Sequence, residues 1–328
     1  MKTRTLGKEL IVSAIGLGCM GFTHAYGAPS DEAEAVRVIR QAADRGCTFF
    51  DTAECYIGQR PDGTTTYNEA VVGQALKGIR DKVVIATKCG VRHENRQLVL
   101  DSRPEAIRRS VEGSLKRLGT DYIDLYYQHR IDPKVAPEEV AGIMSDLIRE
   151  GKIRAWGISE TGEEYLRRAH AVCPVTAVQN RYSMMARHYE GLFPALEELG
   201  VGFVAFSPLA NGLLSGAYGK DSAFTAEDYR AAMPQFAPEA YEANRALFRL
   251  VSETAQAHNA TPAQLSMAWM LAKKPWIVPI PGSRKPERIA ENMGAAEVKL
   301  TPDEVAALDD ALENMRMSAV FGGSPVKE

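Results

Sequence analysis

Short apolar runs recur along the chain, and most are followed by a stretch whose apolar residues return every three or four positions. The runs are AIGLG (14–18), TFFD (48–51), VVIATK (83–88), YIDLYYQH (122–129), IRAWGIS (153–159), AVQN (177–180), GFVAFS (202–207) and WIVPI (276–280). Runs of this length, bounded by turn formers, are read as buried strands. The stretches between them carry helix punctuation. In SDEAEAVRVIRQAADRG (30–46), Ser30 or Asp31 is placed to cap and Gly46 to stop the helix. RPEAIRRSVEGSLKRLG (103–119) and APEEVAGIMSDLIREG (136–151) repeat the design, with proline near the start and glycine past the end. Eight strands alternating with helices predict an α/β chain folded as a closed parallel (β/α)8 TIM barrel rather than an open sheet. Ahead of it, TRTL turns at Gly7–Lys8 into LIVS, an N-terminal β-hairpin. Behind it, TPDEVAALDDALENM (301–315) adds a helix and FGGSPVKE (321–328) a loose tail. The interval before the last strand is long and includes a polar, glycine-rich loop from Ala210 to about Met233, the length of a lid or binding loop. With no linker in sight, residues 1–328 are expected to form a single domain.

In such a barrel, chemistry gathers at the carboxyl ends of the strands. The stretch TFFDTAECYIG (48–58) ends its apolar run on Asp51 and places Tyr56 in the loop beyond. Other strand tips supply Lys88, His129, Ser159, Gln179, Asn180 and Ser207. Each has an ordinary alternative: Asp51 as a helix cap, Lys88 as a solvated cation, His129 as a core histidine. Together at one rim they suit proton transfer at a carbonyl. A free tyrosine titrates near pH 10, and an ammonium beside it is expected to lower that value. A carboxylate beside the lysine keeps it charged, and the histidine can orient a carbonyl oxygen. The missing part is a hydride source.

Composition narrows the alternatives. With 328 residues, 45% hydrophobic and 25% charged, and a formal charge of −3, the chain offers no basic field for nucleic acid or anionic lipid. No apolar run approaches the roughly 18 residues of a membrane span, and the N-terminus lacks a signal-peptide core. The five cysteines are odd in number and scattered, with no CxxC pair and no zinc spacing. They are expected to be reduced thiols, which points to the cytoplasm. Cys55, next to Tyr56, is expected to be an inert filler. GLGCMG (16–21) fits the dinucleotide pattern GxGxxG, but FTHAYGAPSD follows where a helix should open, so a glycine-rich turn is the better reading. A metal-dependent hydrolase on this barrel would need ligand clusters at the strand tips, where the reading finds one histidine.

The motifs GLGCMGF, FDTAECY, NEAVVGQAL, VVIATK, RLGTDYIDLYYQHR, GKIRAWGIS, VQNRYS, AFSPLANGLLSG and IPGSRKPERIAEN, in this order, resemble the aldo-keto reductase superfamily over nearly the whole chain. The resemblance implies a (β/α)8 barrel that binds NADPH without a Rossmann domain and reduces aldehydes or ketones to alcohols. It implies Tyr56 as general acid, supported by Lys88 and Asp51, with His129 orienting the small-molecule carbonyl substrate. Ser159 and Gln179 resemble the pair that holds the nicotinamide carboxamide, and Phe206 the ring on which nicotinamide stacks. Met20, Ser207, Leu209 and Asn211 join the expected cofactor contacts, Asn211 standing where the related pattern has arginine. Gly282, Ser283, Arg284, Lys285 and Arg288 resemble the adenosine 2′-phosphate segment, and Glu291 and Asn292 the adenine contacts. Glu160 replaces a common asparagine, and Phe206 a common tyrosine. Substrate choice is expected from the loops at 20–28, 57–67 and 210–233 and from the tail. A second reading, a cofactor-binding redox-sensing regulatory subunit with little turnover, follows from members that resemble channel β-subunits.

Overall fold

The computed structural model describes residues 1–60, 62–95, 97–324 and 326. Positions 325, 327 and 328 of the expected tail therefore lie outside the described residues. Eight parallel strands pair in the order in which the chain makes them. They are β3 (Leu17–Gly18), β4 (Phe49–Asp51), β7 (Val84–Cys89), β10 (Ile123–Gln128), β11 (Ile153–Ser159), β12 (Ala177–Arg181), β13 (Gly202–Phe206) and β14 (Ile277–Pro279). Every predicted run supplies one of them. The first strand meets the last: the Gly16 N–H donates to the Pro279 carbonyl at 2.9 Å, and Gly18 to Pro281 at 3.1 Å. This is a (β/α)8 barrel. The N-terminal hairpin, β1 (Thr3–Leu6) with β2 (Leu10–Ser13), buries Leu6 and Val12 against the barrel's inner residues.

Two further hairpins stand on the carboxyl-end loops: β5 (Ile57–Gln59) with β6 (Thr65–Tyr67), and β8 (Val91–Glu94) with β9 (Gln97–Leu100). Around the strands lie α1 (Glu32–Asp44), α2 (Asn68–Leu76), α3 (Pro104–Leu118), α4 (Pro137–Arg149), α5 (Glu163–Val172) and α6 (Phe193–Leu199). After β13 come α7 (Pro238–Ala243), α8 (Arg245–Ala257) and α9 (Pro262–Lys273); α10 (Pro286–Gly294) and α11 (Pro302–Glu313) follow β14. The punctuation works as expected. Asp31 accepts the Glu34 N–H to cap α1, and Gly119 takes a left-handed conformation to end α3. GLGCMG (16–21) carries β3 and then runs into a 3-10 turn over Met20–Phe22, and the next helix waits until Glu32.

The strands sort their side chains by parity. Phe50, Ile85, Tyr126, Trp156, Val178 and Phe203 face outward, into the layer shared with the helices. Phe49, Ala86, Leu125, Tyr127, Ala177, Val204 and Val278 fill the interior. Because side chains alternate along a strand, the residue two steps beyond each interior position returns to the inner column at the carboxyl rim. That arithmetic brings Asp51, Lys88, His129, Gln179 and Phe206 to one mouth. Gly157 on β11 is glycine for a reason: a Cβ there would lie 2.6 Å from Tyr127 Cδ1 and 2.4 Å from the Ala177 carbonyl.

Candidate active site

At the mouth of the barrel a cleft of about 580 Å³ opens between the strand tips and the loop that follows β13. Its floor is an ion pair. Lys88, fully buried, donates from Nζ to Asp51 Oδ1 at 2.5 Å, to the Thr52 carbonyl at 2.7 Å and to the Tyr56 hydroxyl at 3.3 Å. Asp51 takes a second donor, Gln179 Nε2, at 2.7 Å. Burial works against both charges. It would discharge Lys88, but Asp51 and Tyr56 outweigh it and hold the ammonium above its ordinary value. Burial lifts Asp51, while Lys88 and Gln179 pull it back toward the ionised form.

Tyr56 departs from the expectation set above. Lys88 does lower its pKa, but burial is the larger effect and pushes the phenol up to about 12. A sequence shows the neighbouring ammonium and not the depth at which the pair sits. The phenol therefore holds its proton throughout the neutral range. Its backbone is pinned as well: the Tyr56 carbonyl accepts the Thr23 hydroxyl at 3.0 Å and the Asn68 N–H at 3.1 Å. His129 stands edge-on to Tyr56, with ring centroids 5.7 Å apart. Burial, then Arg130 and Lys88, hold its pKa well below the usual histidine value, so the ring is neutral. Its Nδ1 lies 3.4 Å from Cys55 Sγ. Burial pushes that thiol up to about 12, so it keeps its proton. A thiol that keeps its proton can donate it to Nδ1, the arrangement that puts the proton of His129 on Nε2.

All the cofactor positions read from the sequence line this cleft, from Met20 to Asn292. Asp51, Tyr56 and His129 line it too, and Lys88 lies beneath them. Phe206 offers a half-buried ring at the end of β13. Ser207, Ala210 and Asn211 beyond it have φ of 51°, 48° and 61°, a left-handed run of non-glycine residues of the sort that gathers at functional loops. Gly18 and Gly282 pass so closely that a Cβ on either would lie 2.8 Å from a carbonyl oxygen. Arg284 donates Nε to the Gly21 carbonyl at 2.5 Å and Nη1 to that of Ala28 at 2.8 Å, while its buried Nη2 has no partner among the described residues. Arg288 pairs with Glu291 at 2.6 Å. Lys285 precedes α10, whose N-terminus favours an anion.

The loop after β13 folds over the cleft and is tied to the loop after β3. Tyr229 N–H donates to the Ala25 carbonyl at 2.8 Å, and Arg230, paired with Asp228 at 2.6 Å, lies 5.1 Å from the Tyr26 ring centre. The 57–67 segment behaves differently from the expectation: among the described residues none of it lines the cleft. Gly58 packs against the Thr23 carbonyl and Pro29, so the β5–β6 hairpin lies back along the outside of that loop. The sequence reading also missed lining residues. His93 sits on an unpredicted hairpin, whereas Arg130 and Arg181 were findable, one residue past His129 and two past Gln179. Another depression, about 640 Å³ between Phe193, Lys273 and Asp309, gathers no comparable set, its lysine and aspartate being paired with each other. Among the described residues no group of His, Cys, Asp or Glu could hold a metal ion, and no helix is long and apolar enough to cross a membrane.

The family model for the Aldo/keto reductase family matches residues 14–313. A probable aldo-keto reductase of Glycine max is 39% identical over 95% of this chain and 88% of its own length. An aldo-keto reductase of Strobilurus tenacellus is 37% identical over 99% of this chain and 98% of its own. Among solved structures, a glycerol dehydrogenase of Gluconobacter oxydans superposes with a TM-score of 0.85 at 29% identity, covering 98% of both chains. The holo form of an aldo-keto reductase of Bacillus halodurans gives 0.76 at 28% identity, again over 98% of both. A barrel whose mouth holds this lysine, carboxylate and phenol, with a family match over most of its length, leads to one conclusion: the chain belongs to the aldo-keto reductase family of oxidoreductases.

Proposed function

We propose that the protein is an NADPH-dependent carbonyl reductase that converts aldehydes or ketones to alcohols, with Tyr56 as general acid. The single observation that carries this reading is the Lys88 ammonium, locked on Asp51 and within 3.3 Å of the Tyr56 hydroxyl at the floor of an open cleft. The residues present fit a nicotinamide dinucleotide. Phe206 offers a stacking face, Gly18 and Gly282 let backbone approach closely, and the orphaned Nη2 of Arg284 with Lys285 and Arg288 suits a phosphate. Ser159 and Gln179 would take the carboxamide, Met20, Ser207, Leu209 and Asn211 the middle of the molecule, and Glu291 and Asn292 the adenine. When bound, the dinucleotide supplies the hydride that forms the new C–H bond.

The chain's own part is to place and feed the oxygen. The neutral Tyr56 phenol and the Nε2–H of His129 both donate to the carbonyl oxygen, which polarises the carbon. As negative charge develops on oxygen, the phenol proton moves to it and the O–H bond forms. Lys88 then stabilises the phenolate, and Asp51 keeps Lys88 charged and fixed. Solvent returns the proton to Tyr56. The tightly buried Lys88 ammonium thus compensates for a phenol that burial alone would make too weak an acid. The same logic runs backward for alcohol oxidation. The five free, buried thiols suit a reducing cytoplasm.

NADPH oxidation over a panel of aldehydes, ketones, quinones and sugar carbonyls, with NADH alongside, tests the reading. Tyr56→Phe is expected to lower kcat/KM by about 10²–10⁴-fold, the usual worth of general-acid catalysis, with the Kd for NADPH little changed. Retained turnover in that variant would refute Tyr56 as the acid. Tight NADPH binding with no turnover on any carbonyl would favour the redox-sensing alternative.

A further inference from the structure

The cleft carries two guanidiniums to which neither the proton-delivery step nor the dinucleotide's phosphate has been assigned a use. Arg130 follows His129 at the end of β10, and Arg181 closes β12 two residues after Gln179. Both line the cleft with Tyr56 and His129, and their guanidinium carbons lie 6.0 and 5.3 Å from the Phe206 ring centre. Arg130 donates Nη1 to the His129 carbonyl at 2.7 Å and to Ser159 Oγ at 3.3 Å. Arg181 is 8% exposed. Among the described residues no carboxylate stands at ion-pair distance from either guanidinium, and that of Arg181 makes no hydrogen bond.

Several other guanidiniums of the barrel are met by a carboxylate or, like Arg4 and Arg284, by two or more carbonyls. Arg80 meets Asp124 at 2.7 Å, Arg117 meets Glu69 at 2.6 Å and Arg230 meets Asp228 at 2.6 Å. A guanidinium that faces a cleft with no carboxylate beside it keeps donors free for what enters. Glu160 is the carboxylate whose field reaches Arg181, and it is occupied in accepting the Arg181 backbone N–H at 3.2 Å. Held at φ of 56°, Glu160 offsets one of the two charges and leaves the other. The histidines nearby add none at neutral pH. His24 and His93, rings 4.8 Å apart, are both lowered by burial, His93 to about 4. His93 Nδ1 is itself buried and has no partner among the described residues, a further polar atom at this end. The cations suited to the dinucleotide's phosphate, Arg284, Lys285 and Arg288, belong instead to the segment at the start of α10.

We infer that Arg130 and Arg181 hold an acidic group of the substrate, so that the preferred substrates are aldehydes or ketones bearing a carboxylate or a phosphate monoester. This rests on the reductase reading above and narrows its substrate class. Guanidinium forks match both oxyanions, and in a half-dry cleft each such bond is stronger than a neutral one. The anion supplies the carboxylate or phosphate partner that the described residues do not.

Matched pairs of substrates test it under saturating NADPH. They are 4-carboxybenzaldehyde against 4-carbamoylbenzaldehyde, succinic semialdehyde against its amide, and glyceraldehyde 3-phosphate against glyceraldehyde. The acidic member is expected to have a kcat/KM about tenfold or more above its neutral partner, the worth of one charge-assisted hydrogen bond. The first two pairs report a carboxylate preference and the third a phosphate preference; either supports the inference. In Arg130→Gln and Arg181→Gln the ratio is expected to fall toward unity, and Arg181→Lys to recover part of it. Each ratio is taken within one protein, so a smaller folded fraction cancels. Equal rates within all three pairs, or a preference that survives both glutamine variants, would overturn the inference while leaving the reductase reading standing. If no aldehyde turns over, the reductase reading fails separately, and calorimetry with benzoate and benzamide decides. Selective benzoate binding lost in Arg181→Gln supports the anion site; equal binding of the two rejects it.

Discussion

Two aspartates are buried in the barrel wall, one toward each rim, and they are used in opposite ways. Asp124, near the start of β10, accepts the Ile85 N–H at 2.9 Å and pairs with Arg80 at 2.7 Å and Arg154 at 3.3 Å. Both guanidinium carbons lie within 4.1 Å of the Tyr122 ring centre. Asp51, at the end of β4, is equally buried, but its partner Lys88 has a further neighbour, the hydroxyl of Tyr56. Around Asp124 the contacts end on protein. Around Asp51 the chain of bonds runs out into a cleft. The same acid is a rivet in the closed arrangement and part of a relay in the open one, which is how the two rims of such barrels divide stability from chemistry.

The sharpest way to break that comparison is to remove one charged side chain from each. Lys88→Met is expected to lower kcat/KM by about 10²–10⁴-fold, because the phenol then faces burial without its ammonium. Asp124→Ala strips Arg80 of its carboxylate and the Ile85 N–H of its acceptor, and is expected to cost on the order of 3 kcal/mol of stability. Its kcat/KM, referred to folded protein, should stay near that of the unaltered enzyme. Urea titrations and steady-state rates on the two variants give the answer. Loss of turnover in Asp124→Ala comparable to that in Lys88→Met would erase the distinction.

A smaller effect is expected where the cleft meets α10. Arg284 is half committed to the loop carbonyls of Gly21 and Ala28, whereas Lys285 makes no ion pair among the described residues. Lys285→Ala should raise the KM for NADPH by about tenfold, the worth of a charge-assisted contact to phosphate, and leave the KM for NADH almost unchanged. Fluorescence titration with both dinucleotides checks it. An equal weakening of both would place Lys285 on something other than the 2′-phosphate.

Much of this was legible because a barrel strand is short, apolar and closed by a residue of fixed parity. Asp51, Lys88 and Gln179 could be assigned to one mouth before any coordinate, since the column they continue begins with Phe49, Ala86 and Ala177. The same parity marks Arg181, which lies one residue past the predicted run AVQN (177–180) and so fell outside it. The β8–β9 hairpin was not legible: VRHE and QLVL are mixed in polarity and half-exposed, without the alternation that betrays a strand. With it went His93. The sign of the Tyr56 shift was hidden for another reason. A sequence names the charges around a group, and the desolvation that outweighs them arises only when the loops close over it.

The comparison extends, with the smallest effect, to the histidines of the open rim. Burial, then His24 and Arg130, lower the His93 pKa to about 4 in the folded protein, against about 6.5 in an unfolded chain. Between those values the unfolded state binds more protons, so stability rises with pH across the window and is lost as pH falls from about 6.5 toward 4. Because His93 is only half-buried, solvent screening reduces the contribution to on the order of 1 kcal/mol. His93→Gln should therefore show a shallower loss of urea stability between pH 7 and pH 4.5 than the unaltered protein. His129 is lowered in the same direction, with His93 among the causes, so the variant also relaxes part of that shift and flattens the profile further. A control at the closed rim sharpens the result, since Asp124→Ala leaves both histidines untouched and should keep the steeper histidine-driven slope across that window. Superimposable pH profiles for His93→Gln and the unaltered protein would mean that the His93 ring titrates alike folded and unfolded, and that the open rim is wetter than its buried Nδ1 implies.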